Sequence, residues 1–384
     1  AVNGEQYRTA AYGYEEGDGS MRILVLSSIS LGLYKLRKEL FWELNRRGHE
    51  VYISLPDDEC VRPLVQMGCC FVKTEMDRRG TNLIADLSLL YSYYKIVREI
   101  CPDVVMTYNI KPTVYGGLIC RIMKKAYLPT ITGLGTAVRG KELLRKIIVG
   151  LYRIGLKNAQ CVFFQNKSDR QFFIDCRIPH SRSRVIPGSG VNLEEYCVEE
   201  YPDAKDVVRL LFIGRIMKAK GIDELILAAK RIKNSYANIE FHLVGFCEED
   251  YHEQLGKLHD AGIVFYHGYQ NNMRQFIKNA HAVLLPSHHE GISNVLLEAA
   301  STGRPVLASD VPGCRETFDE GISGLGFEAK NVEALVSVIK KFCELSYDEK
   351  KAMGLAGRKK MEREYDRQIV INAYMDQLAV VKSC

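Results

Sequence analysis

Ala282-Val283-Leu284-Leu285-Pro286-Ser287-His288-His289-Glu290-Gly291-Ile292-Ser293-Asn294-Val295-Leu296-Leu297-Glu298-Ala299-Ala300-Ser301-Thr302-Gly303-Arg304-Pro305 reads as one full cycle of an alternating α/β chain. Its first four residues are continuously apolar, as in a strand covered on both faces. Pro286-Ser287 closes the strand and Gly291 marks a turn. Ser293 or Asn294 is placed to cap a helix. Gly303-Arg304-Pro305 then leads into another strand. Two carboxylates lie eight positions apart, Glu290 in the turn and Glu298 about two turns into the helix. Between them the helix N-terminus carries unpaired N–H groups and partial positive charge. A ligand with both phosphates and hydroxyls suits that crevice. Carboxylates accept from hydroxyls, and N–H groups donate to phosphate or sugar oxygens.

The same alternation runs outward through the chain. Short apolar runs occur at Ile23–Ser27, Glu50–Ser54, Cys69–Thr74, Val104–Thr107, Thr130–Thr132 and Cys161–Gln165. In the second half they recur at Arg209–Ile213, Glu240–Val244, Ile263–Tyr266, Ala282–Pro286 and Pro305–Ala308. Strands alternating with helical patterns build βαβ units, hence doubly wound parallel sheets with ligands at the carboxyl ends of the strands. Two such domains are expected, at 21–188 and 208–364, with an acidic linker at 189–207 and a last helix within 365–384. Residues 1–20 are polar and aperiodic and read as a leader.

At 384 residues, 47% hydrophobic and 26% charged, the chain has the composition of an ordinary globular protein. It has no run of 18 apolar residues to cross a bilayer. Its twelve cysteines include no Cys-x2-Cys pair and read as reduced, mostly buried thiols of a cytoplasmic protein. His288-His289-Glu290 lacks a second ligand cluster, so no metal is expected. The net charge of +5 conceals an asymmetry. Residues 21–188 hold 27 Lys and Arg against 14 Asp and Glu, whereas residues 189–384 hold 24 against 29. A basic first half implies an anionic partner there. Nucleic acid is not expected, because no basic motif is interleaved with aromatics.

A second motif stands in the same half as the two glutamates. Phe212-Ile213-Gly214-Arg215-Ile216-Met217-Lys218-Ala219-Lys220-Gly221 ends a strand and opens a helix near Asp223. Glycine lets backbone approach a ligand, Arg215 offers a planar fork and Lys220 a point charge, all suited to a diphosphate. Gly-Arg-x4-Lys-Gly followed by Glu-x7-Glu resembles family 4 of the retaining glycosyltransferases, which have the GT-B fold of two Rossmann-like domains facing a cleft. The resemblance runs through residues 21–384. Arg22–Arg37, Pro187–Asn192 and Glu290–Glu298 further resemble N-acetylgalactosaminyltransferases that extend undecaprenyl-diphosphate-linked glycans.

The resemblance implies a donor site in the second domain. Arg215 and Lys220 would hold the diphosphate of a UDP-sugar, and Glu298 the ribose. Glu290 would hold donor-sugar hydroxyls, with the backbone of Gly291, Ile292 and Ser293 and neighbouring Asn294 at sugar or phosphate. Gly214, Gly245 and His267 lie at the ends of the preceding strands, near the base; His267 and Tyr269 serve equally well as packing residues. Gly32, in the small polar segment Ser27–Gly32, would reach phosphate by its backbone. No cofactor and no essential metal are implied, since the cations and helix dipoles stabilise the leaving UDP. The family's GT-B fold also implies a terminal helix that crosses back to the first domain.

The acceptor would meet the first domain. Many family members carry a histidine where this chain has Tyr108, Asn109 and Lys111. Asn109 or Lys111 is therefore expected to hold sugar hydroxyls or phosphate, with Thr132 and Gly133 beside them. The Gly133-Leu134-Gly135 start lacks a third glycine and comes too late for a dinucleotide fingerprint. Lys141–Lys157 is a basic amphipathic pattern, with Leu143, Leu144, Ile147, Leu151 and Ile154 on one face. It is either a core-packing helix or a dock for an anionic membrane surface, with Lys124-Lys125 and Arg78-Arg79 adding to the patch. A lipid-diphosphate-linked saccharide acceptor at the inner face of a bacterial plasma membrane fits that charge. Two other readings compete: a GT-B nucleotide-sugar epimerase, for which paired acid/base candidates are lacking, and a non-catalytic nucleotide-sugar-binding protein.

Overall fold

The computed structural model describes residues 19–77, 82–133, 142–179, 182–203 and 207–382. Most of the leader, Arg78-Arg79 and the Leu134–Val138 continuation of Gly133 lie outside them. Two compact units divide the chain. One holds the residues up to Ser189 together with those from Val370 onward, and the other holds Gly190–Ile369.

The first unit has seven parallel strands: β1 (Arg22–Leu26), β2 (Glu50–Leu55), β3 (Cys70–Lys73), β4 (Val104–Tyr108), β5 (Ala126–Ile131), β6 (Val162–Phe164) and β7 (Ser183–Val185). Their order is β3-β2-β1-β4-β5-β6-β7. Alternate residues of β1 feed opposite faces. Ile23 and Val25 pack with the helices Ser30–Arg46, Val61–Gln66 and Arg367–Lys382. Leu24 and Leu26 pack with Leu83–Ile100, Ile110–Met123, Glu142–Gly155 and Lys167–Asp175. Both faces are therefore dry, which is why β4 carries Val-Val-Met-Thr-Tyr, buried throughout. Each fully buried large aliphatic contributes about 1.5–3 kcal/mol.

The second unit repeats the plan with six strands: β8 (Val208–Ile213), β9 (Ile239–Val244), β10 (Phe265–Tyr266), β11 (Ala282–Leu285), β12 (Val306–Ser309) and β13 (Gly324–Phe327). Their order is β10-β9-β8-β11-β12-β13, all parallel. In each sheet the order reverses once, between β1 and β4 and between β8 and β11. There successive connections leave in opposite directions and open a crevice beyond the carboxyl ends.

Three expectations are corrected. β5 begins at Ala126, four residues before the expected run, and carries Pro129 opposite Thr107 in the sheet interior. The stretch read as a linker packs into the second unit, with Val191 and Tyr201 buried. Of eleven described cysteines, all free thiols, only Cys69, Cys120, Cys161 and Cys314 are buried. Among the described residues no helix is long and apolar enough to cross a membrane.

Candidate functional site

In the second unit the crevice is built from two loops. The chain leaves β8 through Gly214 and Arg215 and makes a single 3-10 turn, Lys218–Lys220. At Gly221 it turns into the helix Ile222–Lys233. Gly221 has φ +72°, and a Cβ there would stand 2.0 Å from the Pro286 carbonyl oxygen. Only glycine lets this loop lie against the end of β11. The second loop runs from Pro286 to Ser293, which caps the helix Asn294–Ser301 by accepting from the Leu296 N–H at 3.4 Å. Glu298 is the fifth residue of that helix, a little over one turn in and not two.

The loops are riveted together. His288 N–H donates to the Ala219 carbonyl at 3.0 Å, and the His288 ring meets Glu224 Oε1 at 3.0 Å. Lys220 Nζ forms an ion pair with Glu290, both side chains largely buried, and Ser287 Oγ donates to the same carboxylate oxygen at 2.7 Å. Behind the loop, Gly313 (φ +83°) lies so close that a Cβ would come within 2.6 Å of the Glu290 carbonyl oxygen. Burial, and then Glu290, push the Cys314 thiol well above its ordinary range. Arg215 pairs with Glu248 from the loop after β9. That loop starts at Gly245 (φ +150°), where a Cβ would strike the Gly214 carbonyl at 1.8 Å. Both cations thus face carboxylates across a crevice lined by helix N-termini.

Glu298 receives a partner that the sequence did not announce. Tyr196 hydrogen-bonds it, and burial followed by Glu298 holds the phenol well above its usual range. Asn294 Oδ1 is buried with no hydrogen-bond partner among the described residues. His267 sits at the end of β10 with its ring stacked on His242 (centroids 5.2 Å) and beside Phe276, and burial lowers its pKa. Tyr269 is half exposed. Among the described residues no group of three or more His, Cys, Asp or Glu is placed to hold a metal ion.

The first unit's crevice, between β1 and β4, is chemically different. Asn109 has φ +71° and ψ +165°, a conformation nearly reserved for glycine. It is held there by its side-chain oxygen, which accepts from Ser27 Oγ (3.2 Å), Ser28 N–H (3.2 Å) and Ser28 Oγ (3.0 Å). Lys111 pairs with Asp86 at 2.7 Å. Ser28, Asn109, Lys111, Thr132, Gly133 and Tyr152 line a pocket of about 180 Å³. Tyr108 is buried in the core beneath Arg37, so it does not reach this pocket. Gly32 lies in the first turn of the helix Ser30–Arg46; the nearest atom to a Cβ there would be 3.9 Å away, on Ile29.

Two doubly wound sheets, one ending in a cationic, carboxylate-bearing crevice, have the architecture of the GT-B fold. The glycosyl transferases group 1 profile matches residues 199–360, and the glycosyl transferase 4-like profile matches residues 22–166. The chain belongs to this family and is a glycosyltransferase. It is 27% identical over 374 residues to the N,N'-diacetylbacillosaminyl-diphospho-undecaprenol alpha-1,3-N-acetylgalactosaminyltransferase of Campylobacter jejuni, covering 92% of this chain and 97% of that one. It is 30% identical to the capsular polysaccharide biosynthesis glycosyltransferase CapM of Staphylococcus aureus, covering 76% and 80%. In fold it matches Anabaena HepE in complex with UDP and glucose, with a TM-score of 0.77 at 17% identity over 94% of this chain and all of that one.

Proposed function

We propose that the protein moves a HexNAc or hexose residue, with retention, from a UDP-sugar to a hydroxyl of a lipid-diphosphate-linked saccharide in bacterial polysaccharide or glycan assembly. The observation that carries this reading is that Lys220 meets Glu290 at the β8–β11 crevice, with Arg215 on the same loop as Lys220. The acceptor class rests on the Campylobacter relative and on the basic first unit.

The acceptor oxygen attacks the anomeric carbon from the side the phosphate leaves. The new C–O bond forms as the bond to the β-phosphate breaks, and the acceptor proton passes to a departing phosphate oxygen. Lys220 and Arg215 neutralise the charge growing on UDP, an electrostatic contribution that needs no divalent cation. Glu290 and Glu298 act as hydroxyl clamps, for donor sugar and ribose, and not as an acid/base couple. The acceptor is held at the pocket of Asn109, Lys111, Thr132 and Gly133. The helix Glu142–Gly155 supports docking on the inner face of the plasma membrane. Ile147 and Ile154, from its expected apolar face, are exposed, while Ile148, Val149 and Tyr152 face the core.

The test is UDP release. Thermal-shift screening of UDP-sugars identifies the donor that stabilises the protein. That donor should then release UDP only when a lipid-linked acceptor is added, with EDTA making no difference. Tight donor binding without release on any acceptor overturns the reading in favour of a nucleotide-sugar-binding protein.

A further inference from the structure

The helix Leu83–Ile100 buries Leu89, Tyr93, Ile96 and Val97 against the first sheet. Its outward side is also apolar. Leu83, Ile84, Leu87 and Tyr91 are 77, 79, 66 and 62% exposed, and Tyr94 follows at 36%. At spacings i, i+1, i+4, i+8 and i+11 they form one stripe running about 16 Å along the axis. An unbroken stripe of this size marks an interaction surface. Ile122, Ile147 and Ile154 are exposed on the other helices that share this face of the sheet.

Charge says what covers it. The helices Leu83–Ile100, Ile110–Met123 and Glu142–Gly155 carry seven Lys and Arg against three Asp and Glu. Two of those acids are paired, Asp86 with Lys111 at 2.7 Å and Glu142 with Lys146 at 2.8 Å. Lys95, Arg98, Arg145, Lys146, Arg153 and Lys157 are exposed around the apolar side chains. Apolar groups ringed by cations match the acyl boundary and headgroup phosphates of an anionic bilayer. An acidic protein would meet the cations but leave the stripe wet.

We infer that the helix Leu83–Ile100 is the edge by which the protein seats itself in an anionic membrane, with Leu83, Ile84, Leu87 and Tyr91 as the entering side chains. Asp86, in the first turn of that helix, holds Lys111 in the pocket of the first unit. The seated helix therefore carries the pocket to the depth of the headgroups, where a lipid-borne diphosphate would be. The inference deepens the reading of the acceptor as lipid-linked and rests on it.

Flotation of the full-length protein with phosphatidylcholine vesicles, with and without phosphatidylglycerol, tests it. The wild type should bind only when phosphatidylglycerol is present. A Leu83→Glu/Leu87→Glu double variant, altered only at exposed positions, should melt as the wild type does and bind at least about tenfold more weakly. It should still release UDP with a water-soluble, short-chain acceptor. Lys220→Ala should bind vesicles like the wild type while losing turnover, and failure of the transfer reading would instead appear as a wild type that binds vesicles but releases no UDP. The inference is overturned if the wild type ignores the vesicles or the double variant binds equally well. It is also overturned if sedimentation shows a dimer that the double variant splits, which would make a second copy the occupant of this face.

Discussion

The two sheets share a strand order up to the last strand of the first, yet their switch points hold opposite chemistries. At β8–β11 the crevice is lined by ions in pairs, Lys220 with Glu290 and Arg215 with Glu248. At β1–β4 it is lined mainly by neutral dipoles, Asn109 gripping Ser27 and Ser28, with one charged pair, Lys111 and Asp86. The architecture supplies a crevice in both cases. What it can bind is decided by the few residues between a strand's last residue and the next helix. Paired ions can exchange a carboxylate for a phosphate at little desolvation cost. A neutral constellation of hydroxyl and amide suits the direction-dependent recognition of sugar hydroxyls.

The comparison breaks most decisively at Lys220. Lys220→Ala should lower kcat by about 10²- to 10³-fold, the scale of removing one preorganised transition-state donor, and lower the melting temperature as well, because the largely buried Glu290 loses its cation. Near-normal turnover in that variant would remove the asymmetry between the crevices. Asn109→Gly keeps the backbone conformation and deletes the acceptor of three hydrogen bonds. It should raise KM for the acceptor by about tenfold while leaving KM for the UDP-sugar unchanged, since each lost bond is worth about 0.5–1.5 kcal/mol and the site relaxes in part. A matching rise in donor KM would show that the first crevice is not acceptor-specific. Glu248→Gln should tighten UDP binding by a few-fold in calorimetry, because Arg215 then loses a competing anion. Weaker binding would mean that Glu248 orients Arg215 for the ligand. His288→Ala cuts one rivet between the donor loops, and about a two- to fivefold loss of kcat is expected, partly restored by His288→Gln, which can still donate to Glu224.

The sequence discloses an element where a local pattern suffices. Buried strands such as β4 and β11 are continuous apolar runs because both faces are covered, and each was recognisable within a residue or two. β7 and β13 were not, for distinct reasons. Ser183-Arg184-Val185 is only half buried at a sheet edge, and Gly324-Leu325-Gly326-Phe327 carries two glycines where strand-forming side chains are usual. The proline inside β5 disguised its start. At the candidate site, Arg215, Lys220, Glu290 and Glu298 stand out in the sequence because they fall in local motifs that follow β8 and β11, while the roles proposed for them come from the family resemblance. Glu248 and Tyr196, which partner Arg215 and Glu298, and Glu224, which meets His288, do not, since nothing local to them signals a long-range contact. The unusual backbone of Asn109 likewise depends on Ser27 and Ser28, some 80 residues away.

The helix Arg367–Lys382 has a consequence for the order in which the protein is made. Val370, Ile371, Tyr374, Met375 and Leu378 complete the core of the first unit, beside strands synthesised more than two hundred residues earlier. The unit whose first strand is made earliest therefore lacks part of its core until residues 370–378 have emerged, and removing those residues would uncover the apolar face along the helix Ser30–Arg46.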